Sequence, residues 1–225
     1  MKKQAVVIGL GRFGSSLAET LASTGYDVLA IDNDEDRVRA IANKVTQAVE
    51  GDATDETVLK EADIPGLDVG IVAIGSDIQA SVLSAILLKK LGIPYLIARA
   101  ENDLHGSILE KIGADQVVYP EREMGYQVAH TATLRNVRDY IPILQNYGVA
   151  KLNAPPHFAG NSLANLGFGR RGKFGIVALV ILRGQDIIIT PADTEILHAG
   201  DVLITTGSDD RLEELLNPGT AKAQT

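Results

Sequence analysis

Apolar and polar positions along the first half of this chain alternate with a regular beat. Short apolar runs rich in β-branched residues lie at residues 5–8, 28–31, 46–49, 69–74, 95–98 and 116–119. Helix-length segments separate them at residues 14–23, 35–43, 55–62, 78–90 and 104–112. Asp34 and Asp77 stand where N-caps belong, and Gly92-Ile93-Pro94 is a stop signal after the fourth segment. Strands that are apolar on both faces and alternate with helices predict an α/β fold. Its core is a doubly wound parallel sheet reaching to about residue 120.

The beat then changes. Residues 121–134 read as one more helix, with Met124, Val128, Ala132 and Leu134 toward one side. No strand follows in step, so that side is expected to serve a neighbouring domain or subunit. Residues 136–147 contain Pro142, precede Gly148, and read as a connector with a short helical turn. Strand-like runs follow at residues 149–152, 175–182, 186–189 and 201–206, with turn signals at Arg183-Gly184-Gln185 and Ala199-Gly200. Residues 209–216 form a short helix that opens with acidic residues. The expected organisation is a first domain over 1–134, a linker over 135–148, a small α+β domain over 149–217 and a frayed tail over 218–225.

The chemistry gathers at the strand ends. The first run leads into Gly9-Leu10-Gly11-Arg12-Phe13-Gly14, and the second ends in Asp32-Asn33. In a G-x-G-x-x-G turn, Gly9 permits the tight exit from the strand and Gly11 lets the backbone approach a pyrophosphate. Gly14 lets the helix pack closely on the sheet. The helix start offers free N–H groups to phosphates, and Asp32 can accept from ribose hydroxyls. In such a sheet ligands meet the carboxyl ends of the strands. The third strand delivers Gly51-Asp52-Ala53-Thr54, the fourth Ala73-Ile74-Gly75-Ser76, the fifth Arg99 and the sixth Glu121. Arg12 is poorly placed for the helix dipole, so it makes more sense reaching a phosphate, including a third one, on its own or a neighbouring subunit. The alternative is a solvated side chain at a helix start. Glu121 beside phosphates calls for an intervening divalent cation, or else it is an ordinary acid in the first turn of the next helix. Asp32 suits the ribose of either ATP or NAD and cannot tell them apart.

Composition narrows the function. A net charge of −8, few aromatics and no Trp argue against nucleic acid as a partner. The absence of Cys removes disulfides and thiolate chemistry and fits a cytoplasmic setting. No apolar run approaches the roughly 20 residues of a membrane span, so a membrane role is expected to act through a partner. His105, His130, His157 and His198 form no metal motif. His105 is expected to start or cap the helix after the fifth strand, and the others to occupy surface or turn positions. With no evident acid/base set beside the cleft, a nucleotide here is expected to be a signal rather than a reagent. An NAD(H)-binding regulator or NAD-dependent oxidoreductase is the alternative.

These motifs resemble those of the cytosolic regulatory subunits of bacterial Ktr/Trk-type potassium uptake systems, which are built on the RCK domain. The likeness extends to Gln79-Ala80-Ser81, residues 109–115, residues 120–125 and Ala199-Gly200-Asp201-Val202-Leu203-Ile204. It implies a Rossmann-like N-lobe, a crossover helix that dimerises with a neighbouring copy, a small C-terminal RCK subdomain and an octameric ring. That ring would sit at the cytoplasmic face of a separate potassium-translocating membrane subunit, with ATP and ADP favouring different ring shapes. The resemblance places Gly9, Gly11 and Gly14 at the phosphates, Asp32 at the ribose and Arg12 at the terminal phosphate, with Phe13 and Asn33 beside them in the cofactor site. Asp52, Ala53 and Arg99 would lie at the base and phosphate contacts, and the fourth-strand turn Ala73-Ile74-Gly75 is small enough to lie against a ring or phosphate. Glu121 would hold a divalent cation. Relatives also bind cyclic di-AMP, here pointing to residues 161–175 with Arg170, Arg171 and Lys173; Asn165 stands where the pattern has an acid.

Overall fold

A computed structural model describes residues 2–133 and 136–217, so Leu134 and the expected tail lie outside the described residues. The chain divides into two compact units, Met1–Glu121 and Arg122–Thr225.

In the first unit, strands β1 (Gln4–Ile8), β2 (Asp27–Asp32), β3 (Gln47–Glu50), β4 (Val69–Val72), β5 (Tyr95–Arg99) and β6 (Gln116–Val118) make one sheet. Its order is β3-β2-β1-β4-β5-β6, and every pairing is parallel. Helices α1 (Arg12–Ser23), α2 (Glu35–Ile41), α3 (Glu56–Glu61), α4 (Ile78–Lys90) and α5 (Asp103–Ile112) supply the crossovers. The apolar strand runs divide by parity, as the two-residue strand period requires. Val6 and Ile8 join the cluster containing Leu59, Leu88 and Leu109 of α3, α4 and α5. Ala5 and Val7 join the cluster containing Ala18 of α1 and Ile41 of α2. Both faces of the sheet are therefore covered, and the order reverses between β1 and β4, which opens a crevice at their carboxyl ends.

Helix starts follow the local chemistry. The Asp34 carboxylate accepts from the N–H groups of Asp36 and Arg37, and the Asp77 carboxylate accepts from that of Ala80. Asn102, not His105, caps α5. His105 is 1% exposed inside the first turns of that helix, where burial lowers its pKa.

The second unit corrects the expected connector. Residues 137–144 are strand β7 (Val137–Leu144), paired antiparallel with β8 (Tyr147–Asn153). With β9 (Val177–Arg183), β10 (Asp186–Ile189) and β11 (Val202–Ser208) they form an antiparallel sheet of order β10-β9-β11-β8-β7. Pro142 is tolerated because β7 is an edge strand, and the pairing shifts register beside it. Ile141, Ile143 and Leu144 are all exposed, which removed the period-two signal that would have announced a strand. Helix α6 (Pro120–Thr133) precedes β7, and α7 (Asp209–Leu216) buries Leu212, Leu215 and Leu216 in this unit's core. On α6, Met124 and Val128 are exposed.

A buried ion pair ties this unit together. Asp201, 1% exposed, accepts two hydrogen bonds from Arg183, at 3.0 and 2.9 Å, and one from the His198 N–H at 2.9 Å. Burial opposes its ionisation, but the Arg183 and His198 bonds outweigh that and hold the carboxyl below its ordinary value.

Candidate functional site

The β1–α1 turn is shaped by close backbone approaches. Gly9 has φ +90°, and its N–H donates to the Ile31 carbonyl at 2.8 Å. A Cβ on Gly14 would stand 1.8 Å from the Gly9 carbonyl oxygen, so no larger residue fits beneath the loop without moving it. Gly11 is the N-cap of α1 and offers no side-chain cap; no acid sits in that helix's first turn. The first N–H groups of α1 are thus left for an anion.

A cleft of about 280 Å³ lies over this turn, near the small end of ligand pockets. Gly9, Gly11, Asp32, Asn33, Asp52, Ala53, Ala73, Ile74, Gly75 and Arg99 all line it. Residues from five strands meet here because parallel strands all end on one edge. Four other expected site residues do not line the cleft. Gly14 is buried below the turn, and Phe13 packs into the core on the α1 side. Arg12 is exposed at the start of α1, and Glu121 is exposed but bonded to Arg99.

Asp32 has a second task beyond any ribose. One of its carboxylate oxygens accepts from the Leu10 N–H at 2.5 Å and the other from the Asp34 N–H at 2.9 Å. It therefore clamps the glycine turn to β2 while lining the cleft. Replacing Asp32 with Ala is expected to lower the affinity for ATP, ADP and NADH alike, by about tenfold, because clamp and acceptor are lost together. Calorimetric titration checks this, and selective loss of one nucleotide would contradict a ribose contact common to all three.

Asp52 accepts from the Thr54 N–H at 2.9 Å and the Thr54 hydroxyl at 2.7 Å. These bonds hold its carboxyl below the ordinary range, so it is ionised at neutral pH. Sequence reading passed over Arg37 and Ser84, and gave Ala80 no place in the site; all three line the cleft. Arg37 lies 3.5 Å from Asp32 and 3.3 Å from Asp34. The Asp34 cap was the available signal, since it places Arg37 in the first turn of α2, beside its own acid. The Ser84 hydroxyl donates to the Ala53 carbonyl at 3.3 Å.

Away from the cleft, His130 is only half-buried and lies between the rings of Tyr126 and Tyr140, with Asp209 3.2 Å from Nε2. It is no simple surface residue. In the basic loop, Lys173 lies 4.7 Å over the Phe174 ring and 3.8 Å from Glu214, while Arg170 and Arg171 are exposed.

Taken together, the sheet order and the glycine turn define a nucleotide-binding α/β domain joined to a small antiparallel-sheet domain. Comparison with known proteins narrows that class. Residues 5–120 match the TrkA-N domain and residues 149–218 the TrkA-C domain. The chain is 44% identical over 208 residues to the Ktr system potassium uptake protein C of Bacillus subtilis, covering 92% of this chain and 93% of that protein. It is 39% identical over 217 residues to the Ktr system potassium uptake protein A of the same organism, covering 96% and 97%. Among solved structures, the GsuK RCK domain superposes with a TM-score of 0.64 at 20% identity, over 96% of this chain and 48% of that one, a likeness of fold. The chain belongs to the Ktr/Trk family of potassium uptake proteins.

Proposed function

We propose that this chain is a nucleotide-sensing regulatory subunit without catalytic activity. ATP and ADP bind the cleft, favour different shapes of a ring of copies, and so gate a membrane potassium-translocating partner. The observation that carries the reading is the uncapped, acid-free start of α1, opening on a cleft with Asp32 on one side and Arg99 on the other. That arrangement suits a ribose joined to several phosphates. The cleft lining holds carboxylates, small residues and arginines, with no histidine among the described residues. Gating then requires only that ATP favour the activating shape more than ADP does.

The family kinship supports a potassium-transporting partner. No helix of the described residues is long and apolar enough to cross a membrane, so the pore would belong to that partner at the cytoplasmic face. The exposed Met124 and Val128 on α6 suit a dimer contact between copies, the first step toward an octamer. Within the described residues no group of three or more His, Cys, Asp and Glu is placed so that it could hold a metal ion. A divalent cation at Glu121 would therefore need nucleotide phosphates, or a second copy, to complete its shell. Cyclic di-AMP at the loop with Arg170 and Arg171 belongs to the same proposal.

The test is the mass of the purified protein in solution together with the nucleotide that co-purifies. An octamer carrying ATP or ADP supports the reading. Clear preference for NADH over both would replace it with the NAD(H) alternative, since Asp32 serves either ribose. Replacing Arg12 with Ala is expected to weaken ATP by about tenfold and ADP little, the scale of one charge-assisted contact to a terminal phosphate. Equal losses for the two nucleotides would remove that role from Arg12.

A further inference from the structure

Arg99 is placed as a phosphate ligand but is engaged by a carboxylate of its own chain. Its guanidinium lies flat over Gly75, where a Cβ would come 2.4 Å from Cζ, so the bare backbone is what admits it to the cleft. One terminal nitrogen donates to Glu121 Oε1 at 2.5 Å. The Nε of Arg99 is buried and has no hydrogen-bond partner among the described residues. In a guanidinium, Nε–H and one terminal N–H₂ form the edge that grips a phosphate or carboxylate with two parallel bonds. That edge is half used here. Arg99 is 22% exposed at its side chain and Glu121 is 67% exposed, so the two partners are unequal: the cation is held in the cleft and the acid is tethered from outside it.

We propose that Glu121 is a built-in competitor for Arg99, displaced when a ligand phosphate takes the guanidinium edge. The inference rests on the nucleotide reading of the cleft and deepens it by naming which group the ligand must evict. Sheet order says which part of the ligand does so. Arg99 ends β5, three strands from Asp32 on β2, roughly 14 Å along the sheet edge before side-chain reach is counted. A ligand whose ribose sits on Asp32 meets Arg99 through its distal phosphates or its second nucleoside. A phosphate carries more charge than a carboxylate and can use both bonds of the edge, whereas Glu121 is largely solvated and loses little on release. Once freed, Glu121, the second residue of α6, is available to a cation beside the same phosphates.

The experiment measures ATP, ADP and NADH binding by calorimetry, in EDTA, for the full chain and for Glu121→Gln, Arg99→Gln and the double variant. Thermal unfolding checks that each remains folded. Glu121→Gln is expected to bind ATP about 2- to 5-fold more tightly than the unmodified chain, the scale of one partly exposed ion pair. In the Arg99→Gln background the same change is expected to have no effect, which shows that Glu121 acts through Arg99. An unchanged or weaker affinity for Glu121→Gln overturns the proposal, as does a gain that persists without Arg99. If NADH alone binds, the ATP/ADP reading fails and the same cycle, run on NADH, still decides the competition. If no nucleotide binds any of the four proteins, both readings fall.

Discussion

Gly14→Ala is expected to lower affinity for every adenine nucleotide by about 100-fold and to lower the thermal midpoint as well, because the new methyl overpacks a closed space. The obstruction is rigid: the added Cβ would meet the Gly9 carbonyl oxygen at 1.8 Å and the Ala73 Cβ at 3.0 Å. Both belong to the crevice itself, so relieving the clash displaces the turn at the head of the cleft. Gly11→Ala separates the two consequences. Gly11 sits in an extended conformation at φ −63° with nothing within 4 Å of an added Cβ, so the fold tolerates alanine there. Yet Gly11 lines the cleft, and a methyl would occupy the space that a pyrophosphate needs. Its expected signature is lost binding at an unchanged thermal midpoint. Gly11→Ala binding nucleotide normally would show that phosphate does not approach this turn.

Asp201→Ala is expected to destabilise the second unit by about 3 kcal/mol near neutral pH, the low end for breaking a buried ion pair, since Arg183 keeps some contact with water. For a unit of this size that corresponds to a fall in thermal midpoint of roughly 10–20 °C. The pH dependence follows from the lowered pKa of Asp201. Its contribution is fully present above the unfolded-state carboxyl value of about 3.9 and is lost as pH falls through the lower folded value. The difference between the unfolding curves of the two proteins should therefore hold steady from neutral pH down to about pH 4 and shrink only below it. A variant as stable as the parent at pH 7 would show that the Arg183–Asp201 pair contributes nothing net.

Legibility of the fold varied with how each segment is buried. The β–α beat of the first unit was readable because parallel strands covered on both faces must be continuously apolar, as residues 5–8 and 28–31 are. Helix starts at Asp34 and Asp77 were readable because the cap is a local bond between near neighbours. Strand β7 was not, because its outer residues are apolar and exposed and its proline is excused only by an edge position that pairing alone defines. His105 was misplaced for a related reason. Asn102, three positions earlier, took the cap, and the packing of α5 took the imidazole inward.

The site shows the same division. From sequence alone came the strand-end residues that line the cleft, since topology carries every parallel strand to one edge and makes their meeting a matter of counting. Tertiary structure alone decided what those residues face. It turned Asp32 onto the Leu10 N–H, brought Arg37 beside it, laid Arg99 over Gly75 and joined it to Glu121. The physical reason is range. Backbone periodicity and caps are set by neighbours within a turn of helix or a strand repeat. Which donor meets which acceptor across 22 residues, as Arg99 meets Glu121, is set only when the chain has closed on itself.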